Sequence, residues 1–421
     1  MPTPPRTAPT TTIAPSLAAL GALNFFLADV RDGLGPFLGV FLIEKGWAPD
    51  QIGFVMTLGG LAGMLATTPL GALADATRAK RFVVGLCAIL TIAASLAILF
   101  VPTVAVVALS QIATGVTGAA IGPAIAGLTL GLVGQTGLPH QLGRNEAWNH
   151  AGNVAAAALA GAFGYVYGLP AVFALMTAMA VGSLIALMRI DPTHVDHAVA
   201  RGLEHDAPGH TTAPARFSAL LRSAPLAILA VTLMLFHLGN GALLPLLGQQ
   251  VASAKNGIDP AAFTAVTIVV AQVTMIGVAL IAGRIAETRG YYPVFVAALV
   301  ALPIRALIAA TWISPWAVIP VQVLDGVGAG LLGVAVPGLV ARMLRGTGHV
   351  NAGLGMVMTV QGIGASLSPS FAGVIAARFG FSAAYMALGV AAGIALCVWL
   401  VARGHMRMAC DVTKEATAGR D

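Results

Sequence analysis

The chain has 421 residues, 58% of them hydrophobic and 9% charged, with a mean hydropathy of +0.89. A soluble domain carries about 25% charged residues, so this chain has too little charge to cover a water-facing surface and reads as an integral membrane protein. Its net charge of +6 does not imply nucleic acid, because the basic residues fall in short loops and set topology there.

Residues 1–15 form a Pro/Thr-rich stretch with no basic region and cleavage site, and read as a disordered cytoplasmic tail. A spanning helix needs about 20 mostly apolar residues. Twelve segments meet this, at 16–43, 50–74, 81–101, 103–133, 145–167, 169–189, 223–251, 261–283, 291–312, 315–341, 350–377 and 381–402. The hydrophilic stretch 191–222 divides them into an N-terminal bundle over 16–190 and a C-terminal bundle over 223–403, with 404–421 as a second cytoplasmic tail. Its His194, His197, His205 and His210 invite a metal site, but their Pro/Thr/Ala-rich setting reads as a solvated linker. Cys87, Cys397 and Cys410 lie too far apart in the chain to suggest a disulfide framework or a thiolate metal site. Placing the N-terminus inside puts 17 of the 22 Lys and Arg residues on the inner side and only Lys45, Lys255 and Arg378 outside. Both termini are therefore expected in the cytoplasm.

Charges inside the spans need a reason, since each costs roughly 2.5–3.5 kcal/mol at a helix centre on a translocon-type scale. In the first span, NFFLADVRDGLGPFLGVFL (24–42), Asp29, Arg31 and Asp32 sit together. On a continuous helix Phe25, Asp29, Asp32 and Pro36 fall within about 60° of one another, with Arg31 on the flank. Two acids on one stripe repel, and a carboxyl that relieves the repulsion by taking a proton can load and release it. The alternative is a structural network in which Arg31 neutralises them. His237 and Asn240 lie mid-depth in the seventh span, and Gln322 and Asp325 mid-depth in the tenth. Arg305, in the ninth, either snorkels or pairs with Asp325. Glu146, Asn149, His150 and Asn153 form a polar stripe in the fifth span, with Gln272 and Gln361 as further polar points between bundles.

The two halves repeat. Gly71 and Gly283 are 212 residues apart, as are Gly161 and Gly373, while Pro36 and Pro245 are 209 apart. A duplicated bundle rocking about a site between its halves is the architecture of secondary transporters. The loops after the second and eighth spans carry matching motifs: Gly71, Leu73, Ala74, Asp75, Arg78, Lys80 and Arg81 in the first, Gly283, Ile285, Ala286, Glu287, Arg289 and Gly290 in the second. Over about residues 16–403 the chain resembles the major facilitator superfamily, whose loop pattern G-x-L-A-D-[RK]-x-G-[RK]-[RK] these residues follow, with Ala76 in place of a basic residue and Arg78 in place of a glycine.

The resemblance implies an all-α integral membrane fold of twelve transmembrane helices in two pseudo-symmetric six-helix bundles. It implies that spans 1, 4, 7 and 10 line a central cavity. Asp75 with the loop bases, and Glu287 on the other side, would lock the cytoplasmic end when the cavity faces out. Two family patterns are altered: Gln111 stands where proton-coupled members often have arginine, and the fifth span lacks the proline of drug antiporters.

The expectation is a monomeric secondary transporter of a bacterial-type inner membrane, moving a small solute by alternating access with protons as the coupling ion. Asp29, Asp32 and Asp325 would couple or bind charge, and Arg31, His237, Asn240 and Gln322 would tune or bind. A drug or divalent-metal exporter is the alternative within transport, and a non-transporting receptor or scaffold the alternative outside it. No nucleotide-binding loop, nucleophile–base motif or metal-ligand spacing is present in the sequence, so no enzyme activity, cofactor, resident metal or nucleic-acid partner is expected.

Overall fold

The computed structural model describes residues 13–31, 34–197, 223–254, 257–312, 314–344 and 350–410. Its helices are α1 (Ala14–Arg31), α2 (Pro36–Glu44), α3 (Pro49–Ala76), α4 (Lys80–Phe100), α5 (Val104–Tyr167) and α6 (Pro170–Met188), then α7 (Ala224–Asn240) and α8 (Leu243–Ala254). They continue with α9 (Pro260–Arg289), α10 (Tyr292–Thr311), α11 (Val318–Met343), α12 (Val350–Phe379), α13 (Phe381–Val401) and α14 (Arg403–Cys410). Among the described residues, nine helical stretches are long and apolar enough to cross a membrane. The other three expected spans are helical too. The first is split into α1 and α2, while α3 is glycine-rich and the latter part of α5 carries the polar stripe from Glu146 to Asn153.

The first span is not the continuous helix expected from its hydropathy. α1 stops at Arg31, Gly35 adopts a φ of +47°, and Pro36 opens α2. Proline disfavours a helical residue before it and cannot extend the hydrogen-bond ladder, and glycine alone takes Gly35's backbone without strain. Phe25 and Asp29 therefore share a helix that Pro36 does not belong to, and the four-residue stripe is interrupted. The seventh span breaks at the corresponding place, between Asn240 and Leu243. A second departure concerns the fifth span, which reaches back to residue 135 instead of starting at 145. α5 runs from the fourth span into the fifth through a kink at Gly134, whose φ of 67° and ψ of 178° only glycine holds comfortably. Gly134→Val is expected to lower unfolding free energy by about 1–3 kcal/mol, read as a lower thermal midpoint of detergent-solubilised protein; an unchanged midpoint would show that the kink can be rebuilt without glycine.

Two apolar cores lie one in each half, the first drawn from residues 19–195 and the second from residues 226–410. A third crosses between them at the end away from the termini, where Phe37, Phe41, Ile52 and Phe173 meet Ala252, Ala261 and Ala265. The seam continues from there to mid-height. Ser370 N donates to Thr57 Oγ1 at 3.1 Å and Ser370 Oγ to Gly53 O at 3.3 Å. Further along, His150 Nδ1 lies 3.1 Å from Gln272 Oε1, which puts the fifth-span stripe to use as an inter-half contact.

At the terminal end, the expected tail from residue 404 starts instead within a helix, Arg403–Cys410. Met406 and Cys410, four residues apart, are fully buried on one face while Arg403, His405 and Arg407 face out. Cys410 O accepts from Tyr291 N at 3.1 Å and from Arg342 Nη1 at 2.8 Å, fastening α14 to the starts and ends of α10 and α11.

Candidate functional site

A cavity of about 280 Å³ lies inside the C-terminal half, lined by α7, α10, α11 and α12. It runs from mid-depth, at Asn240, Arg305 and Asp325, toward the terminal end at Val336, Pro337 and Leu354. The break after Asn240 ends α7 at that depth, so its last turn presents His237 and Asn240 to the cavity. From α10, Arg305 reaches in with 1% of its surface exposed and pairs with Asp325 of α11, Nη1 to Oδ1 at 2.7 Å. The same Nη1 donates to Asn240 Oδ1. Arg305 Nε and Nη2 are buried and find no hydrogen-bond partner among the described residues. Taking two charges out of water costs several kcal/mol per ion, and mutual attraction repays it only with good geometry. The contact at 2.7 Å and the added amide offset part of that cost, while Nε and Nη2 stay uncompensated among the described residues.

A larger space, about 1130 Å³, lies against α3, the first part of α5 and α12, and so is walled by both halves. Gln111 and Thr114 line it, and it shares Met358 with the C-half cavity. Together the two spaces flank α12 at mid-depth.

Of the residues singled out from the sequence, the structure gathers His237, Asn240 and Asp325 around one cavity. Gln322 does not join them: it is fully buried, and its amide atoms meet no partner among the described residues. Asp29 is half-buried on α1, in the opposite half. Arg31 is described by its backbone alone, as the last residue of α1, and Asp32 lies outside the described residues. Arg305, left open between snorkelling and pairing, is paired. The signal for this was in the sequence, since two opposite charges in successive spans have few other ways to be tolerated. Gln361, expected between the bundles, lines the C-half cavity instead. Behind the site, Tyr385 is fully buried and donates to Gln250 Oε1 at 2.8 Å.

Two of the loop residues expected to gate, Lys80 and Arg81, are found holding helix ends. Lys80, 1% exposed, sends Nζ to Ala74 O and, at 3.2 Å, to Thr77 O, closing the end of α3. Its stem lies against Gly127, where an added Cβ would come within 2.8 Å of Lys80 Cε. Arg81 Nη2 donates to Leu187 O at 3.1 Å and Met188 O at 3.3 Å, at the end of α6. Cations at helix C-termini suit both the free carbonyls and the negative end of the helix dipole. Gly71 lies on the last turns of α3; Asp75, on the last turn, is described by its backbone alone. In the second copy Gly283, Glu287 and Arg289 belong to the final turns of α9, with Glu287 and Arg289 exposed, and Gly290 ends the helix at φ +79°. Arg78 is exposed.

In the linker, Asp191 Oδ1 accepts from Thr193 N at 2.8 Å and from its hydroxyl at 2.7 Å, which holds the carboxyl below its ordinary pKa. His194 Nδ1 meets Ser16 Oγ at 2.9 Å. His205 and His210 lie outside the described residues. Among the described residues, no cluster of three or more His, Cys, Asp or Glu is arranged to hold a metal ion.

The model of the MFS_1 like family matches residues 17–387. A Mycobacterium tuberculosis (strain ATCC 25618 / H37Rv) protein, named an uncharacterized MFS-type transporter, is 42% identical over 386 residues, covering 91% of this chain and 92% of that one. Among solved structures, a mutant of the nucleoside transporter NupG superposes with a TM-score of 0.74 at 15% identity, covering 92% of this chain and 99% of that one. A bacterial homolog of the human lysosomal transporter Spinster gives 0.73 at 14% identity, covering 97% and 100%. At such identities the likeness speaks for the fold.

Proposed function

From the premise that the chain belongs to the MFS_1-like family of major facilitator transporters, we propose that it moves a small solute by alternating access, coupled to protons, through the cavity of its C-terminal half. The Arg305–Asp325 pair at the deep end of that cavity carries the reading. Each charge needs the other in a medium without water, so a proton taken up by Asp325 would free Arg305 and unsettle α10 against α11. A local proton is thereby turned into a change of helix packing, which is what coupling requires. Asp29, in the opposite half, is the second carboxyl assigned to coupling, with Asp32 beside it in sequence.

The excess of Lys and Arg on one side of the membrane supports a cytoplasmic placement of both termini. On that placement the contacts of the seam close the outer end, and the C-half cavity faces the cytoplasm. A bacterial-type inner membrane and a monomer fit the same reading.

The test is reconstitution. Purified protein is screened by thermal shift against metabolites, siderophores, drugs and divalent metals, and each binder is offered to proteoliposomes bearing a pH gradient. Accumulation that collapses with a protonophore is the expected result. Accumulation driven by a sodium gradient alone would overturn proton coupling. Binding without movement of any binder would favour a receptor. If Asp29→Asn and Asp32→Asn both leave transport and its pH profile unchanged, the first span has no part in coupling.

A further inference from the structure

The polar atoms of the C-half cavity divide into those already engaged and those that face a ligand. His237 Nδ1 lies 2.9 Å from Leu233 O. A carbonyl only accepts, so Nδ1 carries the hydrogen. An imidazolium here would lack a counter-ion, because the Asp325 carboxylate is held by Arg305, and an unpaired buried cation is costly. The ring is therefore neutral and its Nε2 keeps a lone pair. His237 lines the cavity, and Nε2 is not among the buried atoms lacking a partner, so that lone pair opens on the space. Asp325 gives Oδ1 to Arg305 and remains 18% exposed, which leaves Oδ2 toward the cavity. Arg305, at 1% exposure, is turned into the protein.

The deep end thus offers two acceptors, His237 Nε2 and Asp325 Oδ2, beside the neutral amides of Asn240 and Gln361, in a site whose formal charges sum to zero. Toward the terminal end the wall is apolar, with Leu332, Val336, Leu354 and Met358. An anion would meet a carboxylate oxygen and a lone pair. A cation would leave a net charge beside an arginine that has nowhere else to go. The cavity's 280 Å³ is near the bottom of the roughly 300–1,000 Å³ range of ligand pockets, so the ligand is compact.

The geometry points to an uncharged solute that carries at least two adjacent O–H or N–H donors on a small apolar body, bound donors-first against His237 and Asp325. This rests on the reading of the C-half cavity as the solute site.

Three probes share one body and differ in the head group: 1-phenylethane-1,2-diol (neutral, two donors), mandelate (anion) and 2-amino-1-phenylethanol (cation). Binding to purified full-length protein is measured by titration calorimetry. The diol is expected to bind about tenfold or more tightly than either ion. His237→Phe, which keeps the ring and removes the lone pair, is expected to weaken the diol about tenfold, while His237→Gln, which restores an acceptor, recovers most of that loss. A tighter mandelate or amine, no binding of any probe at millimolar concentration, or diol binding indifferent to His237→Phe would each overturn the inference. His237-dependent binding of the diol with no movement of any solute into vesicles would instead overturn the transport reading and leave this one standing.

Discussion

Asp325→Asn is expected to abolish gradient-driven accumulation and, separately, to destabilise the protein by about 3–5 kcal/mol. The second effect follows from burial. Arg305 is 1% exposed, and its Nη1 is held by Asp325 and Asn240. Removing the carboxylate leaves a cation in the C-half core with neutral amides alone for company. The two effects separate in the double replacement. Arg305→Leu with Asp325→Leu removes both charges and should restore most of the lost stability, because buried pairs exchanged for apolar groups are often neutral or stabilising. Transport should stay absent, since the pair proposed to turn proton uptake into helix movement is gone. The measurements are thermal unfolding in detergent and proton-driven uptake in vesicles. If the double variant transports, the pair is a structural bridge and the coupling site lies elsewhere.

Gly53→Ala is expected to shift the balance between conformations without touching any charge. A Cβ at Gly53 would collide with Pro369 O across the seam, and would come within 2.8 Å of Pro369 C and 3.2 Å of Ser370 Cα. All three neighbours are backbone, so they cannot swing aside. Overpacking of this kind costs about 1–3 kcal/mol, charged only to the state in which α3 and α12 touch. A difference of that size is about 5–150-fold in population. Spin labels at Lys45 and Ala254, in a background without free cysteines, would report it as growth of a longer-distance population. An unaltered distance distribution in a folded variant would mean that this contact does not distinguish the states.

Hydropathy made the twelve spans readable, because in a bilayer the requirement that every backbone group be satisfied leaves the helix as the natural reading of an apolar run. The repeat was readable too, from landmarks such as Gly71 and Gly283. Interruptions within a span were harder. The segment GLGP at 33–36 holds the signs of a break, yet hydropathy carries a single helical wheel through it and puts Pro36 on a face that it does not share with Phe25 and Asp29. Azimuth was harder still. Arg305 lies on a span expected at the periphery, and only packing shows that this stretch of α10 turns inward to Asp325. Gln322 errs in the other direction. One turn before Asp325 in sequence, it points into the bundle, because three residues on a helix amount to about 300° and the remaining 60° is enough to change neighbours. Lys80 and Arg81 read as gate residues from their motif; their work of closing helix ends depends on the carbonyls of Ala74 and Leu187, which no pattern of side chains records.

The kink at Gly134 makes the fourth and fifth spans two arms of one bracket. One arm walls the space between the halves through Gln111 and Thr114, and the other grips the opposite half through His150 and Gly161. With no loop between the arms to absorb a displacement, a tilt at the grip is delivered to the wall. Within the N-terminal half, then, the parts that join the two halves and the parts that wall the space between them are geared together, and neither can be retuned by substitution without altering the other.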